Sequence, residues 1–274
     1  MTNPPLLEVD GVSAGYGRRG SVRRPSWWRR LEKAPPSVLH DVSLTIGAGE
    51  CLGLVGQSGS GKSTLGNCIA GLLPIGAGEI RYHGRTVAQA GRVASLPRLR
   101  GVQVVYQDPY SALNPRRSVG SVLREILLVH RLVPRAGVHA RCVELVEQVG
   151  LDAGVLSRRP RQLSGGICQR VAITRALAFE PDLLIADEVV SALDASIQAQ
   201  VLNLLADLRD RTGVALLFIT HDLAVVNQLA DRVVVLHQGR VVEEGETGSV
   251  LRAPKHDYTR SLLAAVPNLE RRRT

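Results

Sequence analysis

The sequence predicts an α/β fold with a largely parallel sheet covered on both faces. Three observations point to it. Strand-like apolar runs alternate with segments of helical periodicity along most of the 274 residues. Leu183-Leu184-Ile185-Ala186 is apolar throughout, as strands buried on both faces are. Between the apolar run Cys51–Val55 and a helical stretch from Leu65 to Leu73 stands Gly56-Gln57-Ser58-Gly59-Ser60-Gly61-Lys62-Ser63-Thr64. That stretch satisfies G-x-x-x-x-G-K-[ST], a phosphate-binding loop in its strand–turn–helix setting.

Leu6–Val12 opens the chain with strand formers, and Tyr16 follows. Gly17–Pro36 breaks the pattern with Gly, Pro, Arg pairs and Trp27-Trp28, and reads as an inserted loop. Val38–Ile46 reads as a strand, and Gly47–Glu50 turns the chain into the strand before the phosphate loop. Glu79–Arg85 resembles a hairpin, and Val102–Tyr106 is a strand ending at Gln107. Helical periodicity runs through 119–149 in two stretches. Leu163-Ser164-Gly165-Gly166 opens a helix reaching Ala178, and Leu183–Glu188 is a strand ending in two carboxylates. A helix over Ala195–Arg209 and strands over Val214–Thr220 and Arg232–His237 complete the alternation, with one phosphate loop and no internal repeat.

Composition is that of a soluble globular protein, with 45% hydrophobic and 22% charged residues. No run approaches the roughly 18 apolar residues of a membrane span. The start, Met1–Pro5, lacks the regions of a secretory signal. Cys51, Cys68, Cys142 and Cys168 have no pairing or metal-ligand spacing and read as structural thiols in a reducing cytosol. The net charge of +9 is concentrated, because residues 18–33 hold seven Arg and Lys against one Glu. A local basic segment is not a basic domain face, so no nucleic-acid partner is predicted. Arg271–Arg273 reads as a solvated tail.

The chemistry follows from residue types in position. Glycines let backbone N–H groups converge on phosphate oxygens, and the following helix adds its positive dipole end. Lys62 is placed to neutralise β- and γ-phosphate charge, and the Ser63 hydroxyl to ligate Mg²⁺. In open parallel sheets ligands bind at the C-terminal ends of the strands. There Asp187 would join the Mg²⁺ shell, and Glu188 would polarise a water for attack on a γ-phosphate. Gln107, at a strand end, is placed to touch the metal or that water. His221, after another apolar strand, is placed to bond the γ-phosphate, with Asp222 as a helix cap beside it.

Leu163-Ser164-Gly165-Gly166-Ile167-Cys168-Gln169-Arg170, taken with these features in their order along the chain, resembles the signature of ABC-type ATPases. The resemblance covers nearly the whole chain. It implies a P-loop NTPase (RecA-like) core over 6–106 and 180–245 with an N-terminal antiparallel β subdomain. It also implies an α-helical signature subdomain over 108–179 and a C-terminal family tail over 246–274, all in one nucleotide-binding domain. Two such domains dimerise head to tail in the family, with ATP between the phosphate loop of one and the signature of the other. Ser164, Gly165 and Gly166 would then grip the partner's γ-phosphate, and Ser191–Asp194 would link the two sites. Tyr16 is the candidate for stacking on adenine, with Trp27 or Trp28 as rivals.

Tyr106–Arg116, Ser191–Gln200 and His256–Leu263 resemble the dipeptide/oligopeptide/nickel branch of ABC importers, closer to its F-type subunit. That implies a second ATPase subunit, identical or not. It also implies two permease subunits contacted by the segment after Gln107, an extracytoplasmic solute-binding protein, and a place on the cytoplasmic face of the membrane. Peptides are the first expectation for cargo, nickel or a metal chelate the alternative, and a soluble non-transport ABC ATPase the second alternative. The cysteine cluster of some relatives is missing, so no iron–sulfur centre is expected. Two positions depart from the pattern. Ile167 stands where Gln or Met is usual, which predicts a weaker site against this chain's signature. Val189 stands where Pro is usual after the catalytic Glu, which leaves that turn less constrained in φ. The Trp–Arg insertion reads as a solvated loop, with a segment lying against the membrane surface as the alternative.

Overall fold

A computed structural model describes residues 4–16, 37–90, 100–110 and 113–265. The Trp27-Trp28 insertion and Arg271–Arg273 lie outside them.

The strands are β1 (Leu7–Ala14), β2 (Leu39–Ile46), β3 (Cys51–Val55), β4 (Ala77–Tyr82), β5 (Arg85–Gln89), β6 (Val102–Val105), β7 (Leu183–Asp187), β8 (Ala215–Thr220), β9 (Arg232–His237) and β10 (Arg240–Glu246). The helices are α1 (Lys62–Ile69), α2 (Val119–Val129), α3 (Val138–Gln148), α4 (Gly165–Leu177), α5 (Ala195–Thr212), α6 (Leu223–Leu229), α7 (Thr247–Arg252) and α8 (Asp257–Ala264). One sheet has the order β10-β9-β3-β8-β7-β6, parallel except for the β9–β10 hairpin. A second, antiparallel sheet has the order β2-β1-β4-β5.

Period-2 alternation divides the core. Cys51, Val55, Leu184, Ala186, Leu216 and Phe218 point into one apolar cluster, shared with α2 to α6. Leu52, Leu54, Leu183, Ile185, Leu217 and Ile219 point into the other, shared with α1 and the antiparallel sheet. Buried side chains on both sides explain why these strands are apolar throughout. Gly53 is required by a close approach, because a Cβ there would lie 2.7 Å from Val226 Cγ1 on α6. Cys51 and Cys68 are packing thiols, each pushed up to about 12 by burial first. Among the described residues no helix is long and apolar enough to cross a membrane.

Register places the site. Val55 pairs with Thr220 and Asp187 with Ile219, so β3, β7 and β8 end at one level. Val105 pairs with Ala186, which brings the end of β6 to the same edge. The phosphate loop, Asp187-Glu188, His221 and Gln107 all follow directly from these ends. Strand β10 and helices α7 and α8 lie beyond the elements read from the sequence. β10 lies antiparallel at the sheet edge, without a fully buried residue.

Candidate active site

The phosphate loop wraps from β3 into α1. Gly56 sits so close to β9 that a Cβ on it would lie 2.2 Å from the Leu236 carbonyl oxygen. Gly61, at φ 106°, caps α1 in a conformation only glycine adopts without strain. Lys62 is 4% exposed, and its Nζ donates to the carbonyls of Gly56 at 2.8 Å and Gln57 at 3.0 Å. Burial lowers its pKa from the ordinary lysine value, and the charges of Glu188 and Asp187 oppose that.

Ser63 Oγ donates to Asp187 Oδ1 at 3.0 Å, joining the loop to the end of β7. Asp187 is nearly buried, and desolvation raises its pKa against the Ser63 bond and the Lys62 charge, while Glu188 adds to the rise. Two oxygen ligands side by side at a buried carboxylate suit Mg²⁺, which takes one or two carboxylates and completes its shell with phosphate and water. Among the described residues no group of three His, Cys, Asp or Glu forms a metal cage built from protein alone. Ser60 Oγ, also buried in the loop, has no hydrogen-bond partner among the described residues.

Glu188 stands at φ 50°, in the left-handed region. Its N–H donates to the Ile219 carbonyl at 2.9 Å, and its own carbonyl accepts from Ser191 N–H at 3.2 Å and Ser191 Oγ at 2.9 Å. Val189 and Val190 are both buried in the core. Packing of two valines thus holds a turn that, without proline, the sequence predicts to be loose. The unusual φ had no sequence cue, since Glu is not a residue expected there. His221 Nδ1 lies 3.4 Å from Glu188 Oε1, and Asp222 caps α6 by accepting from Ala224 N–H at 2.8 Å. The Tyr16 hydroxyl is 3.2 Å from Thr64 Oγ1, and its ring is 59% exposed beside the loop. Trp27 and Trp28 lie outside the described residues.

Gly56–Thr64, Tyr16, Asp187, Glu188 and His221 therefore come together. Gln107 is exposed at the same sheet edge, one strand beyond Asp187. Ser164, Gly165 and Gly166 do not join them. They begin α4, where Ser164 Oγ accepts from Ile167 N–H at 3.4 Å, and among the described residues no hydrogen bond ties them to the loop. Asp194 caps α5 by accepting from Ile197 and Ser196 N–H, bonds that lower its pKa. Gly166 is required there, as a Cβ would lie 2.5 Å from Ile197 Cγ2. Tyr110, after Gln107, donates to the Leu163 carbonyl at 3.2 Å, linking that segment to the signature. An open recess of 540 Å³ lined by Gln148, Arg170, Gln200 and Arg211 includes none of these residues. One contact had no sequence cue to its task. Tyr258, from the tail, accepts the Gln57 N–H of the loop at 2.9 Å.

The profile of the ABC transporter family matches residues 39–191. The chain belongs to the ABC transporter family. As an ABC ATPase it binds and hydrolyses ATP. A Brucella ovis protein named for peptide import ATP binding is 41% identical over 268 residues, 98% of this chain and 80% of its own length. A Brucella abortus protein with the same kind of name is 48% identical over 231 residues, 84% of this chain and 69% of its own. Among solved structures, the ABC transporter component cbiO1 of Clostridium perfringens superposes with a TM-score of 0.76 at 24% identity, covering 92% of both chains. An ATP-binding cassette solved as a dimer in a post-hydrolysis state with ADP and Pi has a TM-score of 0.73 at 26% identity, covering 88% of this chain and 99% of that one.

Proposed function

We propose that this chain is one of two ATPase subunits that power the import of peptides through a membrane ABC transporter. One observation carries the two-chain part. The phosphate loop and carboxylates occupy one sheet edge, while the signature stands apart on α4, with no hydrogen bond to them among the described residues. A single chain offers two halves of different sites. A second copy or a paralogous subunit, turned head to tail, would close each nucleotide between a loop and a signature. The cassette neighbour described as a dimer with ADP and Pi supports this arrangement. The names of the Brucella relatives support peptide as the cargo.

In this reading the amides of Gly56–Thr64 and the Lys62 ammonium cradle the phosphates. Ser63, Asp187 and Gln107 would hold Mg²⁺, which supplies charge neutralisation at the phosphates when bound. Glu188 orients and polarises the attacking water, and His221, within reach of Glu188 Oε1, keeps that geometry. Tyr16 stacks on the adenine. Ser164, Gly165 and Gly166 present a helix N-terminus to the nucleotide of the partner. Closing and opening of the pair passes to two permease subunits through the segment after Gln107, at the cytoplasmic face of the membrane. A solute-binding protein outside supplies cargo.

The test is reconstitution of the chain with its cognate subunits in vesicles. Peptide-loaded binding protein should stimulate ATP hydrolysis and uptake, and Glu188→Gln should lower both to what the partner's own site sustains. Stimulation by a nickel chelate alone, or hydrolysis that needs DNA or ribosomes instead of permeases, would overturn the cargo or the transport role respectively.

A further inference from the structure

We propose that Tyr258, in the C-terminal tail, is a positioning residue of the phosphate loop and tunes affinity for the nucleotide. The inference rests on the ATPase reading above. Tyr258 accepts the Gln57 N–H at 2.9 Å, across 201 residues of sequence. The carbonyl of the same residue accepts from Lys62 Nζ at 3.0 Å and from Ser60 N–H at 3.1 Å. The peptide group after the Gln57 Cα is thus fixed by the loop itself, and the one before it by Lys62 at its carbonyl and by the tail at its N–H. Donors aimed at phosphate work best when they need not reorganise on binding. Fixing the entry to the loop serves that.

The tail is built to hold this hydroxyl in place. Glu243 on β10 accepts Lys255 N–H at 2.8 Å and His256 N–H at 3.0 Å. His256 Nδ1 accepts Tyr258 N–H at 3.1 Å and caps α8. Arg260 donates back to the carbonyls of Pro254 at 3.1 Å and Lys255 at 2.9 Å. The Tyr258 ring packs on the His237 ring with centroids 3.8 Å apart. His237 follows Leu236, whose carbonyl crowds Gly56, the residue before Gln57. One strand end therefore supports both the loop and the tyrosine that pins it.

Tyr258→Phe removes the hydroxyl and keeps the ring. Mg-ATP binding is measured by calorimetry on the full chain carrying Glu188→Gln, with and without Tyr258→Phe, and hydrogen exchange at the Gln57 amide is followed by NMR. Loss of the hydrogen bond lets the free loop leave the binding geometry and should weaken binding by up to about fivefold. Exchange at Gln57 should speed up, and in the assembled wild-type enzyme KM for ATP should rise while kcat holds. Tyr258→Ala, which also loses the ring contact, serves as the comparison for tail packing. Equal affinity and exchange in the Tyr258→Phe and parent chains would overturn the positioning role even if Tyr258→Ala lowers the melting temperature. If the parent chain itself binds no Mg-ATP, the ATPase reading fails, and this inference with it.

Discussion

Replacing Lys62 with Met tests the centre of the site, because the change removes the charge and keeps most of the stem. In the free chain the Lys62 ammonium is nearly buried and serves two carbonyls. The Gln57 carbonyl keeps the Ser60 N–H as a donor, but the Gly56 carbonyl loses Lys62. An orphaned buried acceptor costs about 1–3 kcal/mol. Relief of the ammonium's desolvation, the cause of its lowered pKa, offsets part of that. A chain of this size shifts its melting temperature by roughly 2–4 °C per kcal/mol, so Lys62→Met should melt only a few degrees lower. The response to nucleotide should change far more. At a hundredfold excess over Kd, Mg-ATP stabilises a binding-competent chain by about 2.7 kcal/mol. That corresponds to an upward shift of about 5–11 °C, which Lys62→Met should lose. Differential scanning calorimetry with and without Mg-ATP reads both quantities. A full nucleotide shift retained by Lys62→Met would refute the assignment of the loop, whatever the melting temperature of the free chain.

Asp187 carries a raised pKa because burial disfavours its charge, so its contribution to stability is fullest below the unfolded carboxylate pKa and is lost as pH rises through the folded value. Asp187→Asn should therefore raise the melting temperature at neutral pH, lose that advantage below about pH 4, and abolish hydrolysis. Gly56→Ala and Gly59→Ala should part company in thermal melts. A Cβ at Gly59 meets nothing within 4 Å and costs only the positive-φ penalty of about 1–2 kcal/mol, whereas one at Gly56 collides with the Leu236 backbone and should cost more. Glu188→Gln in this chain and the matching Glu→Gln in a non-identical partner, made one at a time, should give unequal residual ATPase rates, the weaker site being the one closed by the Ile167 signature. Equal rates would remove the asymmetry.

Local chemistry along the chain was enough to read the phosphate loop, the buried strands and the Asp222 cap. The constraint at each lies within a few residues: Gly where the backbone must approach phosphate, Asp222 where a helix begins, unbroken apolar runs where a strand is covered twice. It also placed Asp187 and Glu188, since a carboxylate pair closing an apolar strand reads from sequence alone. Three things needed the folded chain. The level of the strand ends, which brings Gln107, Glu188 and His221 to one edge, is set by register between strands far apart in sequence. The φ of Glu188 is imposed by buried Val189 and Val190 and by bonds from Ser191 and to Ile219, none of which Glu's own preference predicts. The hold of Tyr258 on Gln57 joins the tail to the loop through a hydroxyl whose partner no periodicity reveals. Propensity and motif act over a turn or a strand, while long-range pairing is decided by which apolar faces must be buried together.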